Sequence, residues 1–378
     1  MAGYIFNLNS RDSLIDCIEN GVYSTIINVP ENGRWNRQIE GTFADFLSMK
    51  AGDNVYFFHE RKIYGLGVLK KVGEDCKYLN FPESDLPVNP EYDEVRSNML
   101  INEGLINIKN RCVCLFESSP EFFVRGVDMD DVLASNPQSF RMLRAFWKLS
   151  FVKVGDEENK ALKDIILKSN EENLRSGRGR FAHHANLHPH VMNTVNGDYY
   201  LTSKNLLKNC SSDDLIGHEM AIEAALIDVL SAEDDTVFGK WDYISHQVIA
   251  SPFKPIDYMD KMDIFGYRFI PSFDTISRYL LIEIKKDSAT LDAIEQLMKY
   301  VDWINQEYSH GDYSMICAFL VAYDFPEEVI SYRRGFCERN YIKGRRPAIT
   351  AKWRNVRLIK YSFNRTTEKL EFTEVDPL

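Results

Sequence analysis

The residues best suited to chemistry lie within 262–303. Asp263 opens the apolar run Met262-Asp263-Ile264-Phe265, and Glu283 and Lys285 close the run Tyr279-Leu-Leu-Ile-Glu-Ile-Lys285. Alternate residues of a strand share a face, so Glu283 and Lys285 project together while Ile282 and Ile284 point into the opposite layer. A carboxylate and an ammonium on an otherwise apolar strand are costly to bury unpaired. A divalent cation held by Asp263 and Glu283 beside Lys285 would account for the pattern.

The neighbouring sequence predicts the elements that must hold these groups. Residues 217–230 form an amphipathic helix with a stripe of Ile222, Leu226, Val229 and Leu230, approached through the capping run Ser211-Ser212-Asp213-Asp214. Glu219 and Glu223 lie four apart on one face beside that stripe, and Glu223, nearer Leu226, is slightly preferred as a third acid. Residues 241–249 and 313–322 read as strands, and 289–305 as a helix with Gln296 and Tyr300 on one side. The order helix, strand, strand, strand, helix, strand predicts an α/β core with a mixed sheet.

This constellation resembles the PD-(D/E)xK nuclease superfamily, in its RecB-like and NucS-type branch. The matching residues are a helical Glu (219 or 223), Asp263 on a strand, Glu283-Ile284-Lys285, then Gln296 eleven residues after Lys285 and Tyr300 four after that. The gap of 20 residues from Asp263 to Glu283 exceeds a tight hairpin and calls for an excursion through 270–275. The resemblance implies a restriction-endonuclease-like core and metal-assisted phosphodiester hydrolysis. Asp263, Glu283 and Glu223 would bind Mg²⁺ or Mn²⁺, and Lys285 would orient the attacking water and offset charge. Gln296 and Tyr300 would brace the active strand or touch the nucleic-acid backbone. It also implies a homodimer, since two active sites serve two strands.

The net charge of −11 argues against a generic nucleic-acid coating, but the charge is unevenly spread. Residues 330–378 hold 12 Lys+Arg against 5 Asp+Glu, or +7; residues 1–329 hold 33 against 51, or −18. Arg333, Arg334, Arg345, Arg346 and Lys352, interleaved with Tyr332, Phe336, Tyr341 and Trp353, form the expected DNA-gripping surface. Upstream, 156–212 reads as a charged helical connector with an Arg/His-rich loop. Arg178 and Arg180, flanked by glycine, suit a loop that orders on phosphate. His183, His184, His188 and His190 crowd eight residues, and metal, nucleic-acid-facing and ordinary surface roles are all open.

Residues 1–155 alternate short strands with turns, including Met49-Lys-Ala-Gly-Asp-Asn-Val-Tyr-Phe-Phe58 and Ile63-Tyr-Gly-Leu-Gly67. That order, ending in Ser139-Phe-Arg-Met-Leu143 before a strand at 149–153, resembles the PUA-like superfamily with its EVE and YTH domains. The resemblance implies a small β-barrel with an aromatic pocket for a flipped or modified base. Tyr23, Trp35, Phe43, Phe46 and Tyr64 are the candidates, led by Trp35 in the polar loop 31–37, although any one of them can instead fill the barrel.

The whole therefore reads as an EVE/PUA-like reader (1–155), a connector (156–212) and a nuclease domain with a basic end (213–378). The expected function is metal-dependent DNA cleavage of a restriction-like, modification-sensing kind; the alternative is a non-catalytic nucleic-acid reader or regulator on a nuclease fold. Seven scattered cysteines without zinc-like spacing, no basic and apolar leader, and no run approaching about 18 apolar residues fit a cytoplasmic protein with no membrane span.

Overall fold

In the computed structural model the described residues are 1–102, 105–140, 151–232, 236–250 and 260–377. They form two compact units, Met1–Arg34 with Met49–Leu201, and Trp35–Ser48 with Thr202–Leu378. The boundary at 201/202 assigns most of the expected connector to the first unit. A second difference was hidden in the sequence: the segment Trp35–Ser48 leaves the first unit and belongs to the second.

The chain opens with β1 (Gly3–Asn7), α1 (Arg11–Asn20), β2 (Val22–Ile26) and α2 (Arg37–Leu47). Ser10 caps α1 by accepting from the Ser13 N–H, and Gly21 ends it at φ +67, a left-handed conformation that glycine adopts without a Cβ clash. There follow β3 (Asn54–His59), β4 (Lys62–Leu69), β5 (Lys77–Leu79), α3 (Tyr92–Val95), β6 (Asn110–Ser118) and β7 (Val127–Asp128). The first unit ends with α4 (Met129–Ser135), β8 (Phe151–Val154), α5 (Asp156–Ser169), α6 (Glu171–Ser176) and α7 (His188–Thr194).

The strands of the first unit make a half-barrel sheet in the order β2-β6-β4-β3-β1-β8, with β1 and β3 parallel. The apolar stripe of α5 (Ala161, Leu162, Ile166) packs into the same core as Ile5, Tyr56 and Leu66. Helix α5 is therefore part of this unit's core and not a free connector. Of the expected end of this domain, 141–150 lies outside the described residues.

The second unit is built from α2, α8 (Lys204–Cys210), the small hairpin β9 (Ser211–Ser212) and β10 (Leu215–Ile216), and α9 (Glu219–Ser231). Its sheet strands are β11 (Tyr243–Ile249), β12 (Lys261–Phe269), β13 (Ile276–Ser288) and β14 (Ile316–Asp324), with α10 (Leu291–Glu307) crossing between the last two. After α11 (Glu327–Phe336) come the hairpin β15 (Arg339–Arg345) and β16 (Ala348–Trp353), then β17 (Val356–Asn364) and β18 (Lys369–Val375).

The six-stranded sheet runs β11-β12-β13-β14-β17-β18. It is antiparallel from β11 to β13, parallel from β13 through β14 to β17, and antiparallel at β18. This is the mixed α/β core expected from the element order, with β17 and β18 as an unforeseen extension. A strand joined to its parallel neighbour needs a crossover, which α10 supplies. Thr290 caps α10 by accepting from the Ala293 N–H, and Ile294, Leu297, Val301 and Ile304 form its buried stripe. Among the described residues no helix is long and apolar enough to cross a membrane.

Candidate active site

Strands β12 and β13 bring the predicted acids together through simple register. Ile264 pairs with Ile282, so in the same antiparallel ladder Asp263 stands opposite Glu283 on one face. The gap of 20 residues is two long strands joined by a turn at 270–275, which supplies the expected excursion. Because β13 lies between β12 and β14, Glu283 is fully buried at 0% exposure, as are Ile282 and Ile284. Placing two carboxylates across a central ladder is unfavourable unless a cation joins them.

The hydrogen bonds show how the group is held. Asp263 Oδ2 accepts from the Ile284 N–H at 2.7 Å. Lys285 Nζ donates to Glu283 Oε1 at 2.7 Å and lies 3.4 Å from Gln296 Oε1. Gln296 in turn donates to the Tyr300 hydroxyl at 3.1 Å. The offsets of eleven and four residues thus place Gln296 and Tyr300 in one chain behind Lys285. Glu283 Oε2 has no hydrogen-bond partner.

Both helix glutamates reach this face. Glu223 is buried and accepts from Gln247 Nε2 at 2.9 and 3.1 Å through its two oxygens. Glu219 Oε1 accepts from the Lys286 N–H at 3.3 Å. Glu223, the preferred third acid, is buried, whereas Glu219 is partly exposed.

Proton affinities follow from the crowding. Burial, then repulsion from Glu283 and Glu223, raises Asp263 well above the usual carboxylate range. Burial raises Glu283 to about 7 against the opposing pull of Lys285. For Lys285, burial alone would lower the pKa, but Glu283 outweighs it and the net shift is upward. Burial lifts Tyr300 to about 12 despite its bond to Gln296.

Sequence reasoning missed three residues here. Gln247 stands opposite Asp263 in the β11–β12 ladder, bracketed by the pairs His246↔Ile264 and Val248↔Met262. It has φ +52, a left-handed conformation unusual for a non-glycine residue in a strand, and strain of this kind gathers at functional sites. Its amide nitrogen also lies 3.5 Å from Asp263 Oδ1. His246 Nε2 lies 2.9 Å from Asp45 Oδ1 on α2, and its Nδ1 lies 3.4 Å from Glu223 Oε2. Burial would depress His246, but the Asp45 and Glu223 carboxylates outweigh it and raise the pKa to about 10. His246 and Gln247 were visible as polar residues inside a strand; Asp45, about two hundred residues away, left no local signal.

The other predicted residues are not gathered into sites. Trp35, Phe43 and Phe46 belong to the second unit, whereas Tyr23 and Tyr64 belong to the first. All five are at most 6% exposed, and Trp35, expected in an open loop, packs 5.6 Å from Phe43. Tyr23 does border a cleft of about 540 Å³ in the first unit, together with Asn7, Asn107 and Asn110.

Many cations of the basic segment have carboxylate partners, some of them shared. Arg333 and Arg334 pair with Asp376, Lys352 and Arg354 with Glu338, Arg339 with Asp302, Arg357 with Glu374 and Lys360 with Asp324. Arg333 is 3% exposed and donates to the Val356 carbonyl at 3.1 Å, so it supports β17 and is not a surface contact. Arg346 lies in the turn between β15 and β16 and is exposed, whereas the Arg345 side chain lies outside the described residues. Arg178 is exposed, and Arg180 pairs with Glu121 at 2.6 Å. In the histidine-rich loop, ring nitrogens of His183, His188 and His190 bond the carbonyls of Ile18, Gly21 and Met99. Those rings pin the loop to the first unit instead of converging on a metal.

No family model matches the chain, and no curated protein matches it. Among solved structures, a repair endonuclease from Pyrococcus abyssi aligns over 24% of this chain and 34% of its own at 23% identity, with a TM-score of 0.18. The chain thus spans about a third of that enzyme's length. Protein Atu2648 from Agrobacterium tumefaciens aligns over 43% of this chain and 92% of its own at 17% identity, with a TM-score of 0.26. Rpa0253 from Rhodopseudomonas palustris aligns over 44% and 92% at 14% identity, also with a TM-score of 0.26.

Proposed function

We propose that the chain is a metal-dependent DNA endonuclease whose second unit carries a PD-(D/E)xK-type site. The observation that carries this reading is the convergence of Asp263, Glu283 and Lys285 from adjacent central strands on Glu219 and Glu223 of α9, behind a Gln296–Tyr300 brace. Asp263, Glu283 and Glu223 carry hard oxygen donors that suit a divalent cation, although they do not form a set with ligand atoms all within 4.8 Å of one another. They offer only carboxylate oxygens, one of which, Glu283 Oε2, is buried without a partner, and burial above all raises the pKa values of Asp263 and Glu283. Mg²⁺ or Mn²⁺ held there would polarise the scissile phosphate and ease ionisation of the attacking water.

The protein's own groups supply the rest. Lys285, kept protonated by Glu283, offsets the charge that builds on the phosphate and orients the water as a hydrogen-bond donor. Gln296 and Tyr300 hold the lysine in place, which limits the reorganisation needed during reaction. His246 and Gln247 fix Glu223 from behind. A restriction-like role on DNA, a homodimer serving both strands and a cytoplasmic location complete the proposal. The cleft bordered by Tyr23, Asn7, Asn107 and Asn110 is the candidate for a base reader in the first unit.

Purified protein should cut DNA with Mg²⁺ or Mn²⁺ in a screen of unmodified, methylated, hydroxymethylated, mismatched and single-stranded substrates. Asp263→Ala and Lys285→Ala should not cut. Cleavage surviving in both variants removes this site from the chemistry. Metal-independent binding without cutting in the wild type favours the non-catalytic reader instead.

A further inference from the structure

A second group of potential ligands lies away from the acidic face, in the same unit. Cys210 ends α8 and His218 caps α9, and the β9–β10 hairpin between them closes through the Gly217 N–H to the Cys210 carbonyl at 3.0 Å. The hairpin thus brings the thiol and the imidazole side by side at its base. Gly217 keeps this approach open, since a Cβ there would sit 3.0 Å from the Cys210 carbonyl and 3.5 Å from its sulfur. Glu40, from α2, completes the group. Its Oε1 lies 2.8 Å from His218 Nδ1, and one ligand atom from each residue falls within 4.8 Å of the others.

The carboxylate carries the second observation. Glu40 is 1% exposed, and its Oε2 has no hydrogen-bond partner. A buried carboxylate with an oxygen left unpartnered is costly unless a cation reaches it. Among the described residues this is the set of three mixed donors that converges so closely; the predicted acids Glu223, Asp263 and Glu283 do not form such a set. A thiolate, an imidazole and a carboxylate match a borderline cation, whereas Mg²⁺ and Mn²⁺ prefer oxygen alone.

We infer that Glu40, Cys210 and His218 bind a zinc ion that fastens α2 to the start of α9. The Cys210 thiol loses its proton to solvent as the ion binds. Because Glu219 follows His218 directly and Glu223 lies one turn on, the ion also fixes the position of the acidic helix. This inference does not depend on the nuclease reading, and it asks for a different metal from the one expected at the acidic face.

The test uses the full-length chain carrying Asp263→Ala and Glu283→Ala, which removes the acidic face as a competing site. After dialysis against zinc and then metal-free buffer, mass spectrometry should find one zinc per chain. Replacement by Co²⁺ should give a sulfur-to-cobalt charge-transfer band in the near ultraviolet. Adding Cys210→Ala or, in a separate protein, His218→Gln should reduce the retained metal to background, and Cys210→Ala should abolish the band. Should Cys210→Ala fail to fold, Cys210→Ser is read instead. Absence of retained zinc, a cobalt complex without the band, or metal content unchanged by both substitutions would overturn the inference.

Discussion

The acidic face of β12 and β13 and the basic segment after residue 330 contrast in charge and in how that charge is treated. Asp263 and Glu283 are placed close together, Glu283 fully buried, and their pKa values rise because burial penalises their charge more than Lys285 relieves it. Downstream, Arg334, Lys352, Arg354 and Lys360 are more exposed, yet each has a carboxylate partner. A local surplus of +7 in the sequence is therefore no measure of available charge. Charge left unbalanced where burial makes it costly is the stronger functional signal.

The largest effect should come from the acidic face. Lys285→Ala should slow metal-dependent cleavage by at least about 10²–10³-fold, the usual consequence of removing one positioned donor to a developing charge. Single-turnover rates at saturating metal would measure it, and a loss below tenfold would make Lys285 a structural residue.

Arg333 tests the opposite treatment of charge. Arg333 is itself buried, so Arg333→Ala should lower stability measurably in urea titration. The expected cause is the lost bond to the Val356 carbonyl and the space left by a buried side chain, since Asp376 keeps Arg334. A merely surface arginine would cost far less.

Glu283 should show the reverse sign. Its folded pKa of about 7 lies above the ordinary 4.5, so the native state holds the proton more tightly than the unfolded chain. In metal-free protein the ionisation penalty is absent below about pH 4.5, grows as pH rises towards 7 and is complete above it. Glu283→Gln should flatten that decline and raise stability at pH 8 by on the order of 3 kcal/mol. Melting temperatures across that window, with chelator present, would show it; identical slopes in both proteins would sink the assignment.

Lys352 should matter least. Its pairing with Glu338 is largely exposed, so Lys352→Ala should change stability by less than about 1 kcal/mol. The salt dependence of DNA binding should hardly move, because this charge is already answered. A slope reduced by a full counterion would restore Lys352 to the binding surface.

These contrasts also mark what the sequence could disclose. Strand alternation around Glu283 and Lys285, and the helical offsets of Gln296 and Tyr300, survive folding because they are local periodicities. Register set the Asp263–Glu283 pairing, and hydrophobic pattern alone constrains register strongly when one face is buried. Pairings such as Arg339 with Asp302 or Arg357 with Glu374 depend on tertiary placement, so a charge count over 330–378 could not foresee them. Trp35 misled for a related reason: its loop is polar in sequence, yet it leads into α2, whose Phe43, Ala44 and Leu47 are buried in the second unit. The same detour hid Asp45 and Glu40.

The excursion of Trp35–Ser48 also affects how the protein can be divided. The chain passes between the two units three times, after residues 34, 48 and 201, so no single cut releases either half intact. A fragment beginning at Thr202 lacks the helix that packs on α9 and supplies Asp45 to His246. The second unit is thus not a portable cassette: transplanting it into another protein requires residues 35–48 to be supplied separately or grafted back through a new connection.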